Sequence, residues 1–323
     1  MPLFDRRLAR VALAGMVAWL ALLFVPLATG SGAEEEVGHL VLLAPLVLVP
    51  LFLVASVPAG FGAAPRALSA ASWLMLPGAL GAAGSLLVAP GPLAGALAAL
   101  WLIPTTVVAA QMVAAVARQR GLADAAEIAL AFGWATLPGG AVWLVLARSG
   151  VDTGYSSLVS LLTAAHFHYA GAFVLIWAGL LGRALAPRWR TIHAVLVVGL
   201  VVGFWGVAAG IALGRGPASG SVVEAVGVAL LTLAAVGVGG LGVVRAGDVE
   251  DRKTSVMLAV SGGALVLAMA LAAWFQFGAR LGLGQPDVSW MAARHGALNA
   301  YGFALWGALG WRRIRPQPAA LSG

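Results

Sequence analysis

In residues 161–182, LLTAAHFHYAGAFVLIWAGLLG, His166 and His168 stand among apolar side chains, and the phenol of Tyr169 is the one further titratable group before Arg183. Imidazole can ligate a metal, carry a proton near neutral pH, and donate and accept hydrogen bonds at once. On an α-helix, positions two apart lie about 200° apart around the axis, so these rings face nearly opposite ways. A straight helix cannot bring both to one ion, because pairs that share an ion use i, i+3 or i, i+4 spacing. Either each ring serves its own site, or one is a ligand and the other hydrogen-bonds a neighbouring helix. Small residues accompany both rings: Thr163 and Ala170 beside His166, and Ala164, Gly171 and Ala172 beside His168. They would admit a partner helix or a flat ring.

A third imidazole, His295, occurs in SWMAARHGALNAYGFALWGALGW, with Asn299 one turn later on the same face. His39 shares a face with Glu36 in EEEVGHLVLLAPL, and Gln276 lies near the end of another apolar run. Glu34, Glu35, Glu36 and His39 also read as a solvated loop and helix start, where acids suit the positive end of the helix dipole. His193, after Arg188, Trp189 and Arg190, reads as an interfacial residue, and Arg294 as one that snorkels past Trp290. The stretch GVGGLG, 237–242, has the glycine spacing of a dinucleotide loop, but it lies inside an apolar run and not after a strand. It is expected to be helix-packing glycine. No P-loop, nucleophile elbow or HExxH occurs.

The elements that position these groups follow from composition. Of 323 residues 61% are hydrophobic and 10% charged, with a mean hydropathy of +0.97. A soluble domain carries about 25% charged residues, so lipid must solvate most of this surface. Cysteine is absent, which excludes disulfides, Cys-ligated zinc and iron–sulfur clusters. A spanning helix needs about 20 apolar residues. Reading for such runs gives an all-α, polytopic transmembrane bundle in a single domain, with ten spans at roughly 9–29, 37–56, 69–89, 93–117, 125–147, 157–182, 192–213, 222–244, 255–278 and 289–311. Interior prolines (Pro45, Pro50, Pro77, Pro104, Pro138) fall in spans two to five and predict a bent first half; the second half reads as glycine-packed.

Nineteen basic residues set the orientation. With the N-terminus inside, Arg6, Arg7, Arg10, Arg66, Arg118, Arg120, Arg183, Arg188, Arg190, Arg245, Arg252, Lys253, Arg312, Arg313 and Arg315 are cytoplasmic; Arg148, Arg215, Arg280 and Arg294 are not. This bias predicts both termini in the cytoplasm of a multi-pass protein of the bacterial inner membrane. It also explains the net charge of +7 without nucleic acid: the lipid bilayer is the expected partner. His166 would then lie roughly 13–17 Å deep from the outer surface, with His295 in the same outer half.

Two resemblances attach to these motifs. LTAAHFHYAGAF (162–173), MAARHGALNAYGFALWGALGW (291–311) and LAPLVLVPL (43–51) resemble the YndJ-like family of bacterial integral membrane proteins. That resemblance implies that His166, His168, Tyr169, His295, Gly296 and Asn299 belong to characteristic motifs, and it implies no reaction. AHFHY, 165–169, is similar to the histidine pair of haem–copper oxidases, in which each imidazole ligates a different haem. By that resemblance His166 and His168 would be axial ligands, with His295 or His39 as a partner. The adjacent His-His pair and the His-Pro-Glu-Val-Tyr stretch of the copper site are absent.

Three functions follow as expectations. The first is a haem or metal site held by His166, His168 and His295, supported by Asn299, Tyr169, His39 and Glu36. The second is a proton-linked transporter, which the near absence of Asp and Glu from span interiors weakens. The third is an intramembrane enzyme acting on a lipid or isoprenoid, with histidine as acid and base.

Overall fold

The computed structural model describes residues 3–30, 32–57, 66–118, 124–214 and 221–318. Arg120, Arg215 and Pro217 lie outside the described residues. Among the described residues the chain forms ten helices and no strand. They are α1 (Leu3–Leu22), α2 (Gly32–Ser56), α3 (Arg66–Leu87), α4 (Pro92–Arg118), α5 (Ala125–Arg148) and α6 (Ser157–Ala184). There follow α7 (Arg190–Gly214), α8 (Val222–Gly247), α9 (Arg252–Phe277) and α10 (288–314). Each corresponds to one of the ten apolar runs, in order. Helices α2 to α9 are long and apolar enough to cross a bilayer. Arg6, Arg7 and Arg10 in α1, and Arg294, His295 and Asn299 in α10, lower the apolarity of those two.

Local chemistry sets the helix starts. Asp124, Ser156, Asp251 and Asp287 each accept a hydrogen bond from a backbone N–H in the first turn of the following helix. Helix α2 is apolar all round beyond His39, and such a helix must be enclosed. In its most apolar stretch 94% of residues are buried, against 28% for the span containing α7. Helix α2 therefore forms the centre, with α1, α6 and α10 packed on it, and α7 sits at the periphery. On that outer side, glycines set the packing distance. A Cβ on Gly262 would sit 2.5 Å from the Gly239 carbonyl oxygen, so α8 and α9 touch backbone to backbone. Gly239 belongs to GVGGLG, which is helical as expected.

Three of the four central helices change hydrogen-bond register midway. Helix α2 is π-helical over Ala44–Leu48, α6 over Phe167–Phe173 and α10 over Leu298–Leu305. In α2, Pro50 has no N–H to offer the Leu46 carbonyl four residues back. Gly15 of α1 covers that carbonyl, and a Cβ there would sit 1.8 Å from its oxygen. The other two π turns begin one residue after His166 and three after His295, and they pack against each other.

Arginines close the helix ends, where carbonyls lack intrahelical partners. At the end carrying both termini, Arg183 donates to both Glu127 oxygens (2.5 and 2.7 Å) and to the Ser56 carbonyl. Arg315 bridges Asp5 and the Val57 carbonyl there, and Arg245 donates to the Ala184 carbonyl. At the opposite end Arg148, 2% exposed, donates to the carbonyls of Ser85, Ala28 and Val88. His193, read from sequence as interfacial, is instead 3% exposed and donates from Nε2 to the Ala178 carbonyl. Gly182 leaves room for its ring.

Candidate functional site

Helices that alternate in direction bring the last turns of α5, α7 and α9 to the same end as the first turns of α2, α6, α8 and α10. At that end, opposite the termini, these seven helices line a partly open cavity of about 350 Å³. Its walls are mostly apolar, from Val37 and Leu40 of α2 to Met269 and Phe275 of α9. Polar groups enter in three places. Thr163, His166, Tyr169, His295 and Asn299 lie on α6 and α10, Thr232 lies on α8, and Glu224 of α8, Gln276 of α9, Trp143 and Tyr155 stand nearer the loops.

Hydrogen bonds fix which atoms each group offers. The His166 Nδ1 lies 3.0 Å from the Leu162 carbonyl oxygen, which can only accept, so Nδ1 carries the hydrogen. Its Nε2 keeps a lone pair, and the ring is exposed along the cavity wall. His295 Nδ1 donates to the Ala268 carbonyl of α9 at 2.9 Å, so its Nε2 must accept. It accepts from Asn299 Nδ2 at 3.0 Å, and that amide also donates to the His295 carbonyl at 2.9 Å. The Ala268 carbonyl thus fixes the imidazole tautomer, and the tautomer fixes the Asn299 amide with Oδ1 as its unused atom. Tyr169, 6% exposed, donates its hydroxyl to the Leu40 carbonyl at 2.7 Å and ties α6 to α2.

His168 is turned the other way, as two-residue spacing requires. It is fully buried, donates from Nδ1 to Ala164, and accepts at Nε2 from Trp101 of α4 at 3.2 Å. Gly140 of α5 makes room for it, since a Cβ there would meet Nδ1 at 2.3 Å. Both nitrogens are satisfied away from the cavity. His39 also lies off the cavity wall, its Nε2 donating to the Leu22 carbonyl at the end of α1, and Glu36 is exposed and likewise off the wall. Glu34 and Glu35 accept backbone N–H groups from Gly30 and Leu27 at the helix start, and Glu34 is buried there, not solvated as expected. Of the seven residues singled out from sequence, the cavity gathers His166, Tyr169, His295 and Asn299, and leaves out His168, His39 and Glu36. Glu224 was missed; its signal was an acid three residues beyond Ser221, just inside an apolar run.

The donor set does not fit a metal or haem held by His166, His168 and His295. His168 Nε2 and His295 Nε2 each accept from a neighbour, which leaves His166 Nε2 as the open imidazole nitrogen on the wall. Among the described residues no three His, Cys, Asp or Glu side chains are grouped as metal ligands. What the wall can do chemically is accept hydrogen bonds, and at His166 accept a proton, beside a large apolar volume.

The profile of the family described as YndJ-like protein matches residues 39–303, a stretch that contains both histidine motifs and the π turn of α2. The chain is also 25% identical over 187 residues to the "Uncharacterized membrane protein YndJ" of Bacillus subtilis (strain 168). That alignment takes in 58% of this chain and 33% of the relative, so the chain spans only about a third of the relative's length. No solved structure matches. The family profile spans most of the ten-helix bundle, and on that ground the chain belongs to the YndJ-like family of membrane proteins.

Proposed function

We propose that this multi-pass membrane protein takes an amphiphilic, lipid-like molecule into the cavity and acts on its polar end with His166, His295 and Asn299. The observation that carries the reading is one cavity of about 350 Å³ with mostly apolar walls and a polar cluster on two facing helices. Small-molecule sites have this character: apolar walls and a few placed polar groups, in volumes of about 300–1,000 Å³. Polar groups at membrane depth are costly and by default mark a pathway or ligand. His166 supplies the open basic nitrogen, and the Ala268–His295–Asn299 chain holds the carboxamide at the same cavity.

The haem or metal reading lacks a second open imidazole nitrogen. The transporter reading lacks a polar path, because Phe52, Phe173, Trp177, Phe303 and Trp311 fill the core between the cavity and the end with the termini. The basic residues favour the terminal end as cytoplasmic, which would put the cavity in the outer half of a bacterial inner membrane. Because the chain lacks cysteine, single cysteines at Gly154 and Asp248 give a direct orientation assay. A membrane-impermeant thiol reagent should label position 154 and not 248 in intact cells; the reverse pattern overturns the orientation.

The function is tested by extracting protein from its membrane and identifying co-purified lipids by mass spectrometry. Native protein is expected to retain a lipid species at near-stoichiometric amount, and Ala208→Phe, which fills the cavity wall at α7, is expected to lose it. Equal retention by both proteins would overturn the reading.

A further inference from the structure

We infer that the molecule held in the cavity ends in a free hydroxyl. This rests on the proposed lipid-like occupant and names its polar group. Along the α6–α10 wall, every polar hydrogen is already spent within the protein. His166 Nδ1–H is given to Leu162, the Thr163 hydroxyl to Val159 at 2.8 Å, and the Tyr169 hydroxyl to Leu40. His295 Nδ1–H goes to Ala268, and both Asn299 amide hydrogens go to His295. What this wall presents is lone pairs: His166 Nε2, Asn299 Oδ1, and the remaining lone pairs of the Thr163 and Tyr169 oxygens.

With His166 neutral, an anionic or carbonyl end group would meet acceptors here with no hydrogen to bridge them, and a buried acceptor facing an acceptor is costly. The donors on the cavity surface lie elsewhere. Gln276 is eight residues beyond Ala268 on α9, roughly 12 Å along the axis toward the loops. Trp143 and Tyr155 are also at the loop end of their segments. On the facing wall, Thr232 of α8 has a hydroxyl that can turn its hydrogen to a ligand. A ligand hydroxyl can donate to His166 or Asn299 and accept from Thr232. An ammonium can only donate, so it leaves the Thr232 hydrogen without an acceptor; a phosphate diester can only accept. Of these end groups, the alcohol is the one that can donate to the α6–α10 wall and accept from Thr232.

The test is competition binding to the protein in nanodiscs, with tritiated farnesol as the probe and farnesyl methyl ether, farnesylamine and farnesyl phosphate as competitors. Farnesol is expected to compete at least tenfold better than the ether and the phosphate, the effect of about one hydrogen bond. In His166→Phe and Asn299→Leu the alcohol is expected to lose this advantage while the ether keeps its affinity, which also reports that the variants are folded. Ether, amine or phosphate competing as well as farnesol would overturn the hydroxyl assignment and leave the lipid-like occupant standing. No binding by any member of the series would overturn the occupant itself.

Discussion

The two histidines of AHFHY should separate cleanly, His168 into stability and His166 into binding. His168 is fully buried and joined to Trp101 across a helix interface at 3.2 Å. His168→Leu keeps an apolar filling but leaves the Trp101 N–H without an acceptor. Interhelical hydrogen bonds in membranes couple by about 0.6 kcal/mol on average and up to about 1.7 kcal/mol. Full enclosure of both rings places this pair in the upper part of that range. Trp101→Phe removes the same bond from the other side, so the double variant should cost less than the sum by about 1–1.7 kcal/mol. His166 bonds only within its own helix, to Leu162, and its ring is exposed along the cavity. His166→Phe should therefore change stability by less than about 0.5 kcal/mol, as for an exposed site. Reversible unfolding in mixed micelles, followed by circular dichroism, measures all four proteins, and lipid retention is measured in parallel. His168→Leu losing lipid at unchanged stability, or additive His168 and Trp101 effects, would refute the assignment of roles.

Three further outcomes are expected. Arg183 and Glu127 form a buried bidentate pair, with side chains 4% and 7% exposed, so Arg183→Met strands a carboxylate and should cost about 3–5 kcal/mol, while Arg183→Met with Glu127→Met recovers most of that loss in the same unfolding assay. Gly15→Ala drives a methyl toward the Leu46 carbonyl oxygen and should separate α1 from α2 at a cost of about 1–3 kcal/mol, read as a lowered midpoint of thermal unfolding. The hydrogen bond from Thr254, reinforced by Arg313, holds the Asp251 carboxyl below its ordinary 3.8, at about 2. A depressed value means that this helix cap contributes its stability above pH 4 and loses it as pH falls through about 2. A pH titration of unfolding should show that acid slope in the native chain and a shallower one in Asp251→Asn.

Hydrophobic run length made the ten helices legible, and the angle between positions 166 and 168 made legible that the two rings would part. Which partner each ring found was not, because Trp101 lies 67 residues upstream and only the packing of α4 on α5, and of α5 on α6, brings it to His168. The π turns were also hidden: residue type does not report hydrogen-bond register, and FHYAGAF (Phe167–Phe173) and LNAYGFAL (Leu298–Leu305) read as helix in either register. His39 and Glu36 shared a face as expected, yet the end of α1 turned His39 into a cap for Leu22. The cavity joins seven helices, and no single stretch of sequence carries the signal of a space between them.

The most direct measurement of the central claim is an electron cryo-microscopy map of the native protein in lipid nanodiscs. Elongated density filling the cavity between α6, α8 and α10, ending within hydrogen-bond distance of His166 Nε2, is the predicted result. A cavity closed by side chains, or one holding only ordered water, would contradict it.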